Sequence, residues 1–148
     1  MYQHIEVAID GSPTSDRALI EAIKLAHDQH ANLRIVHVID DPYAYYEGDG
    51  VSPETIARLE QAWRDAGEKI LAHAIELASQ KGIRPETGIL EREDRVSAVI
   101  LDDAARWHAD LIVLGTHGRH GLQHLLLGSV AEGVVRTAVV PVLLLHGT

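Results

Sequence analysis

Five short runs of strand-forming residues, each separated from the next by a stretch of helical periodicity, constrain this chain more than any other feature. Strands joined through a helix pair in parallel, since an antiparallel neighbour needs only a tight turn. The runs are residues 4–9, 32–39, 84–91, 110–115 and 139–145. A helix from about Ser15 carries Leu19, Ala22, Ile23 and Ala26 on one face, and a longer one opens at Ser52-Pro53, with Ser as N-cap and Pro in the first turn. Its apolar stripe is Ile56, Leu59, Trp63, Ala66, Ile70, Ala74 and Leu77, and Lys81-Gly82 closes it. Asp94 is positioned to cap a third helix, with Val96, Val99, Ile100, Ala104 and Trp107 facing inward, and a short fourth covers residues 129–138. The order predicts a single α/β domain, residues 1–148, with an open parallel sheet, helices on both faces and right-handed crossovers.

Such a sheet is covered on both sides and is built from branched aliphatics. The composition agrees: 46% of residues are apolar but only 4% aromatic, and there is no Phe. Leu111 to Leu114 are apolar without interruption, the pattern of a central strand. The net charge is −9 with three lysines (Lys24, Lys69, Lys81), which excludes non-specific affinity for nucleic acid or anionic lipid, because both rest on many cations. The chain has no cysteine, and so neither disulfides nor thiolate metal sites. The first residues show no basic segment leading into an apolar one, so no secretory signal is expected. The longest apolar run, residues 138–145 counting Pro141, is far too short to span a membrane. A cytoplasmic protein is expected.

The chemistry concentrates in residues 115–132. A strand gives out at Gly115, and a helix is expected to start at Ser129, which has Glu132 at capping-box spacing. Between them lie Gly115, Gly118, Gly121, Gly128 and Arg119 with no acidic residue. Glycines let a backbone approach a ligand, and a helix N-terminus offers unpaired N–H groups to an anion, so the stretch reads as a phosphate-binding loop. In open α/β sheets ligands lie beyond the carboxyl ends of strands, where the strand order reverses. Asp10 ends the first strand and Gly115 the fourth; they share a crevice if those strands are neighbours, which the residues alone do not fix. There is no Walker A lysine, so phosphate charge falls to backbone dipoles, Arg119, His117 and a bound Mg²⁺, and fast hydrolysis is not expected. His117, His120 and His124 have a metal-like spacing, but Gly118 and Gly121 interrupt the helix that would give it meaning. Residues 40–50 hold Tyr43, Tyr45 and Tyr46 and read as a mobile loop or a lid. Pro141 cannot donate to a ladder and puts the last strand at an edge, and an apolar edge calls for a cover, here a second copy of the chain.

The pattern G-x2-G-x9-G-S, present as Gly115, Gly118, Gly128 and Ser129, is followed by Val130-Ala131-Glu132 and Pro141-Val142. With Val7-Ala8-Ile9-Asp10-Gly11-Ser12 at the start and His37-Val38 closing the second strand, the whole chain resembles the universal stress protein family, in its ATP-binding branch. The resemblance implies a Rossmann-like fold, of the adenine nucleotide alpha hydrolase-like type. It implies five strands in the order 3-2-1-4-5, four helices, and a homodimer through strand five, which opens on Val139 and closes on Leu145. By position it implies ATP, ADP or AMP as ligand, with Mg²⁺ accompanying the nucleotide. Asp10 would take the ribose or adenine side, Ala8, Ile9 and Val38 would line the base pocket, and Leu114 and Gly115 would border the ribose. His117, Gly118 and Arg119 would meet the phosphates, which Gly128, Ser129 and Val130 would cradle. At Ala131 some ATP-binding relatives carry a hydroxyl. The implied role is a nucleotide-responsive stress or signalling module with slow or no hydrolysis and a protein partner that the sequence does not identify. The competing readings are a dimeric interaction protein of this fold that binds no nucleotide, and an ATPase or transferase on the same scaffold.

Overall fold

In the computed structural model the protein is described over residues 1–46, 48–117 and 127–147. The chain runs β1 (His4–Ala8), α1 (Pro13–Gln29), β2 (Asn32–Ile39), α2 (Pro42–Tyr46), α3 (Pro53–Gln80), β3 (Glu86–Glu91), α4 (Val96–Trp107), β4 (Leu111–Gly115), α5 (Ser129–Thr137) and β5 (Val142–Leu145). All strand pairs are parallel, in the order β3-β2-β1-β4-β5. The order reverses at β1, whose Ile5, Glu6 and Val7 pair with Leu111, Ile112 and Val113 of β4.

Successive strand side chains point to opposite faces, which splits the core in two. Ile5, Val7, Ile9, Leu33, Ile35, Leu111 and Val113 pack with Leu19, Ala22 and Ile23 of α1 and with Leu71, Ala74 and Ala78 of α3. On the other face Ile112 and Leu114 pack with Ile100 and Ala104 of α4 and Val134 of α5. That second face holds a charged cluster. Arg34 of β2 donates through Nε and Nη2 to Asp103 of α4 at 2.7 and 2.9 Å, and Gly88 of β3 leaves room for it, since a Cβ there would lie 2.6 Å from Nη2. Beside them Glu6 is fully buried, and neither carboxylate oxygen finds a hydrogen-bond partner among the described residues. The nearest cation is Arg34 Nε at 3.7 Å. Burial first, then the adjacent Asp103, push the Glu6 carboxyl up to about 9.

Several boundaries differ from those read in the sequence. Helix α1 begins at Pro13, because Ser12 is its N-cap and accepts from the Ser15 N–H at 3.2 Å. Residues 42–46 form the short helix α2, one more helix than the resemblance implies, and the Tyr45 ring meets Trp63 edge-on at 6.4 Å. The inward face of α3 holds Ile56, Ile70, Ala74 and Leu77 as expected but departs at one position: Ala66 is exposed while Gly67 and Leu71 are buried. Gly67 lies there because a Cβ would come within 2.7 Å of the His37 ring. Helix α4 is preceded by Arg95, without a side-chain cap, so Asp94 does not cap it, and the buried Asp103 joins Ile100 and Ala104 on its inner face. Strand β3 starts at Glu86, and β5 is only Val142–Leu145, so Val139 and Val140 precede the edge strand instead of belonging to it.

Candidate functional site

Parallel pairing of β1 with β4 brings the ends of both strands to one crevice, at the point where the strand order reverses. On the β1 side Ala8 ends the strand and, with Val38, contributes to the core on the α4–α5 face. The Ile9 side chain belongs to the opposite core, and its backbone is fully used: the N–H donates to Val36 O at 2.9 Å, and the carbonyl lies 2.8 Å from His37 Nδ1. Asp10 follows in an Asx turn. Its Oδ1 accepts from the Ser12 N–H at 2.9 Å, and its own N–H donates to Ser15 Oγ at 3.2 Å.

On the β4 side Leu114 is buried, and Gly115 pairs with Leu145 of β5. Gly115 is glycine for want of space, since a Cβ would sit 2.9 Å from the Thr14 carbonyl carbon. Thr116, 1% exposed, anchors the exit from the strand with both backbone groups: its N–H donates to Leu145 O at 2.9 Å and its carbonyl accepts from the Gly128 N–H at 2.8 Å. His117 is half-buried, its Nδ1 is 3.1 Å from Thr116 Oγ1, and its carbonyl accepts from the Thr14 hydroxyl. Gly118 and Arg119, and the histidines at 120 and 124, lie outside the described residues.

Gly128 is the N-cap of α5; Ser129 is the first helical residue, so the capping box anticipated at Ser129 and Glu132 does not form. Among the described residues no side chain caps this helix, and Ser129 is exposed while Val130 is half-buried. The first N–H groups of a helix have no partner within it, and the helix dipole adds partial positive charge there, so the start of α5 attracts an anion. Ala131 is 2% exposed and faces the core. Asp10, Gly115, His117 and Gly128 are thus tied to one short framework by contacts through Ser12, Thr14, Ser15 and Thr116. Of those four, Ser12 and Thr116 fall within the motifs that stand out in the sequence, whereas Thr14 and Ser15 do not; the Ser12-Pro13 signature, identical to that at Ser52, could have identified the cap. Two clefts, of about 440 and 280 Å³, lie at the opposite end of the sheet, between the ends of α1 and α3. Their lysines, Lys24 and Lys81, lie toward helix C-termini, which such charges stabilise, and they take no part in the crevice.

A five-stranded parallel sheet with this reversal and helices on both faces defines a Rossmann-like α/β protein. The Universal stress protein family pattern matches residues 1–146, and the chain belongs to that family. It is 36% identical to universal stress protein YxiE of Bacillus subtilis, over 99% of this chain and all of that one. A universal stress protein family structure from Burkholderia pseudomallei superposes with a TM-score of 0.79 at 33% identity, covering 97% of this chain and 96% of that one. A universal stress protein solved in complex with cAMP superposes with a TM-score of 0.72 at 26% identity, covering 99% of each chain. No helix among the described residues is long and apolar enough to cross a membrane.

Proposed function

We propose that the protein binds ATP, or a related adenine nucleotide, in the crevice between the ends of β1 and β4 and acts as a nucleotide-responsive stress or signalling module in the cytoplasm. The observation that carries this reading is the direct pairing of β1 with β4, which sets Asp10 opposite the glycine-capped start of α5. Asp10 serves the ribose or adenine side, and Ala8, Ile9 and Val38 the base. Leu114 and Gly115 border the ribose, and His117, Gly118, Arg119, Gly128, Ser129 and Val130 serve the phosphates. Support comes from the related structure that holds cAMP. Among the described residues no three His, Asp or Glu side chains are grouped to hold a metal, so Mg²⁺ would arrive on the phosphates. The loop contains no lysine, in keeping with slow or no hydrolysis.

A homodimer through the β5 edge completes the reading. Support lies in the edge position of β5 and in the exposed Val135 and Val139, 46% and 97% accessible beside it. The protein that reads the nucleotide state remains to be captured. Calorimetric titration with ATP, ADP and AMP, with and without Mg²⁺, tests the proposal on wild type and Asp10→Ala. Saturable binding that Asp10→Ala weakens at least about tenfold is expected, since a charge-assisted contact contributes about 1.5–3 kcal/mol. Folded wild type that binds none of the three would overturn it in favour of a protein that works by contact alone.

A further inference from the structure

We propose that Thr14 is a positioning residue for the glycine loop, its hydroxyl fixing the His117 backbone, where the chain leaves β4, relative to Asp10 on the opposite wall. Its consequence for binding rests on the nucleotide reading above; its geometry does not. Thr14 lies in the first turn of α1 and is 8% exposed, yet its hydroxyl donates out of the helix to the His117 carbonyl. The residue is wedged between two glycines. A Cβ on Gly115 would meet its carbonyl carbon at 2.9 Å, and one on Gly147 would meet its methyl at 3.0 Å. Next to it Ser15 Oγ accepts from the Asp10 N–H, and Ser12 donates from its N–H to Asp10 Oδ1. Within four residues, then, the start of α1 grips both walls of the crevice.

The backbone of Thr116 is already committed to β5 and to Gly128. The carbonyl of His117 is the next acceptor along the chain, and a side chain from another element satisfies it. Losing that hydroxyl would release the His117 carbonyl without disturbing the sheet.

Two substitutions separate hydroxyl from shape: Thr14→Val keeps the branched outline and removes the donor, whereas Thr14→Ser keeps the donor and removes the methyl. Each is titrated with ATP, and amide exchange of Thr116 and Gly128 is followed by NMR without nucleotide. Thr14→Val is expected to weaken ATP binding about fivefold, the worth of one hydrogen bond, and to speed exchange at Gly128, while Thr14→Ser stays near wild type in both. Val behaving as wild type in both readouts would overturn the proposal. So would Ser losing as much as Val, which would make the role one of packing. Should wild type bind no ATP, the nucleotide reading fails, and exchange alone decides: faster Gly128 exchange in Thr14→Val upholds the positioning role, and unchanged exchange removes it.

Discussion

Gly128 is required by distance and not by torsion. Its φ of −62° suits any residue, but a Cβ would lie 2.8 Å from the Thr116 carbonyl oxygen, which also accepts the Gly128 N–H. Gly128→Ala is expected to cost about 1–3 kcal/mol in urea unfolding, because backbone on both sides must move. At Glu6 the expectation concerns pH. Its folded carboxyl titrates at about 9 against an ordinary 4.5, so between those values the folded chain keeps a proton that the unfolded chain releases. Stability from this group is complete below pH 4.5 and is lost as pH rises through 9, with a slope of up to about 1.4 kcal/mol per pH unit. Glu6→Gln is expected to flatten that slope in melts from pH 5 to 9; parallel curves for the two proteins would contradict it. Asp10, Gly115 and Gly128 were legible in the sequence because glycine and acid stand out at a strand end. Glu6 was not: a polar residue within a strand reads as facing water, and only helices on both faces bury it.

Among the elements, the two Ser-Pro starts make a controlled pair. Ser12 is 5% exposed and ties Asp10 to α1, while Ser52 caps the exposed start of α3 and accepts from the Thr55 N–H at 3.2 Å. Ser12→Ala is expected to cost about 2 kcal/mol, the upper end of the range for caps, and Ser52→Ala about 0.5–1 kcal/mol, read from urea midpoints. Equal losses would mean that burying the Ser12 cap adds nothing to its worth, since the Ser12 N–H that holds Asp10 is backbone and survives the substitution. Apolar periodicity locates the helices and most of the buried stripe of α3, but it turns Ala66 inward. Gly67 carries no hydrophobic signal, and only the His37 ring against it explains why Ala66 turns outward. The start of α1 is hidden for a related reason, since Asp10-Gly11-Ser12-Pro13 is a turn signal and a helix cap at once. The α2 segment offered three tyrosines and no periodicity, so its contact with Trp63 could not be anticipated.

For the whole molecule, alternating strands and helices specified the layers, but which strands are neighbours is a property of the fold that no residue pattern encodes. The order 3-2-1-4-5 followed from the family resemblance, and it is this order that makes Asp10 and Gly115 face one crevice. Assembly is testable at the same scale. Val139, 97% exposed, has no part in the core, so Val139→Asp is expected to leave the circular dichroism of the folded chain unchanged while shifting sedimentation from dimer to monomer. A wild type that sediments as a monomer would remove the edge-to-edge assembly. The central claim, that an adenine nucleotide's phosphates meet the start of α5, is tested most directly by ATP titration of Ser129→Asp. A carboxylate in the first turn of a helix favours its dipole, so the fold should melt no lower than wild type, while its charge stands where phosphate belongs. The expected result is ATP affinity reduced at least about tenfold, more than 1.4 kcal/mol, at undiminished stability. Undiminished affinity in Ser129→Asp would place the phosphates elsewhere and contradict the reading.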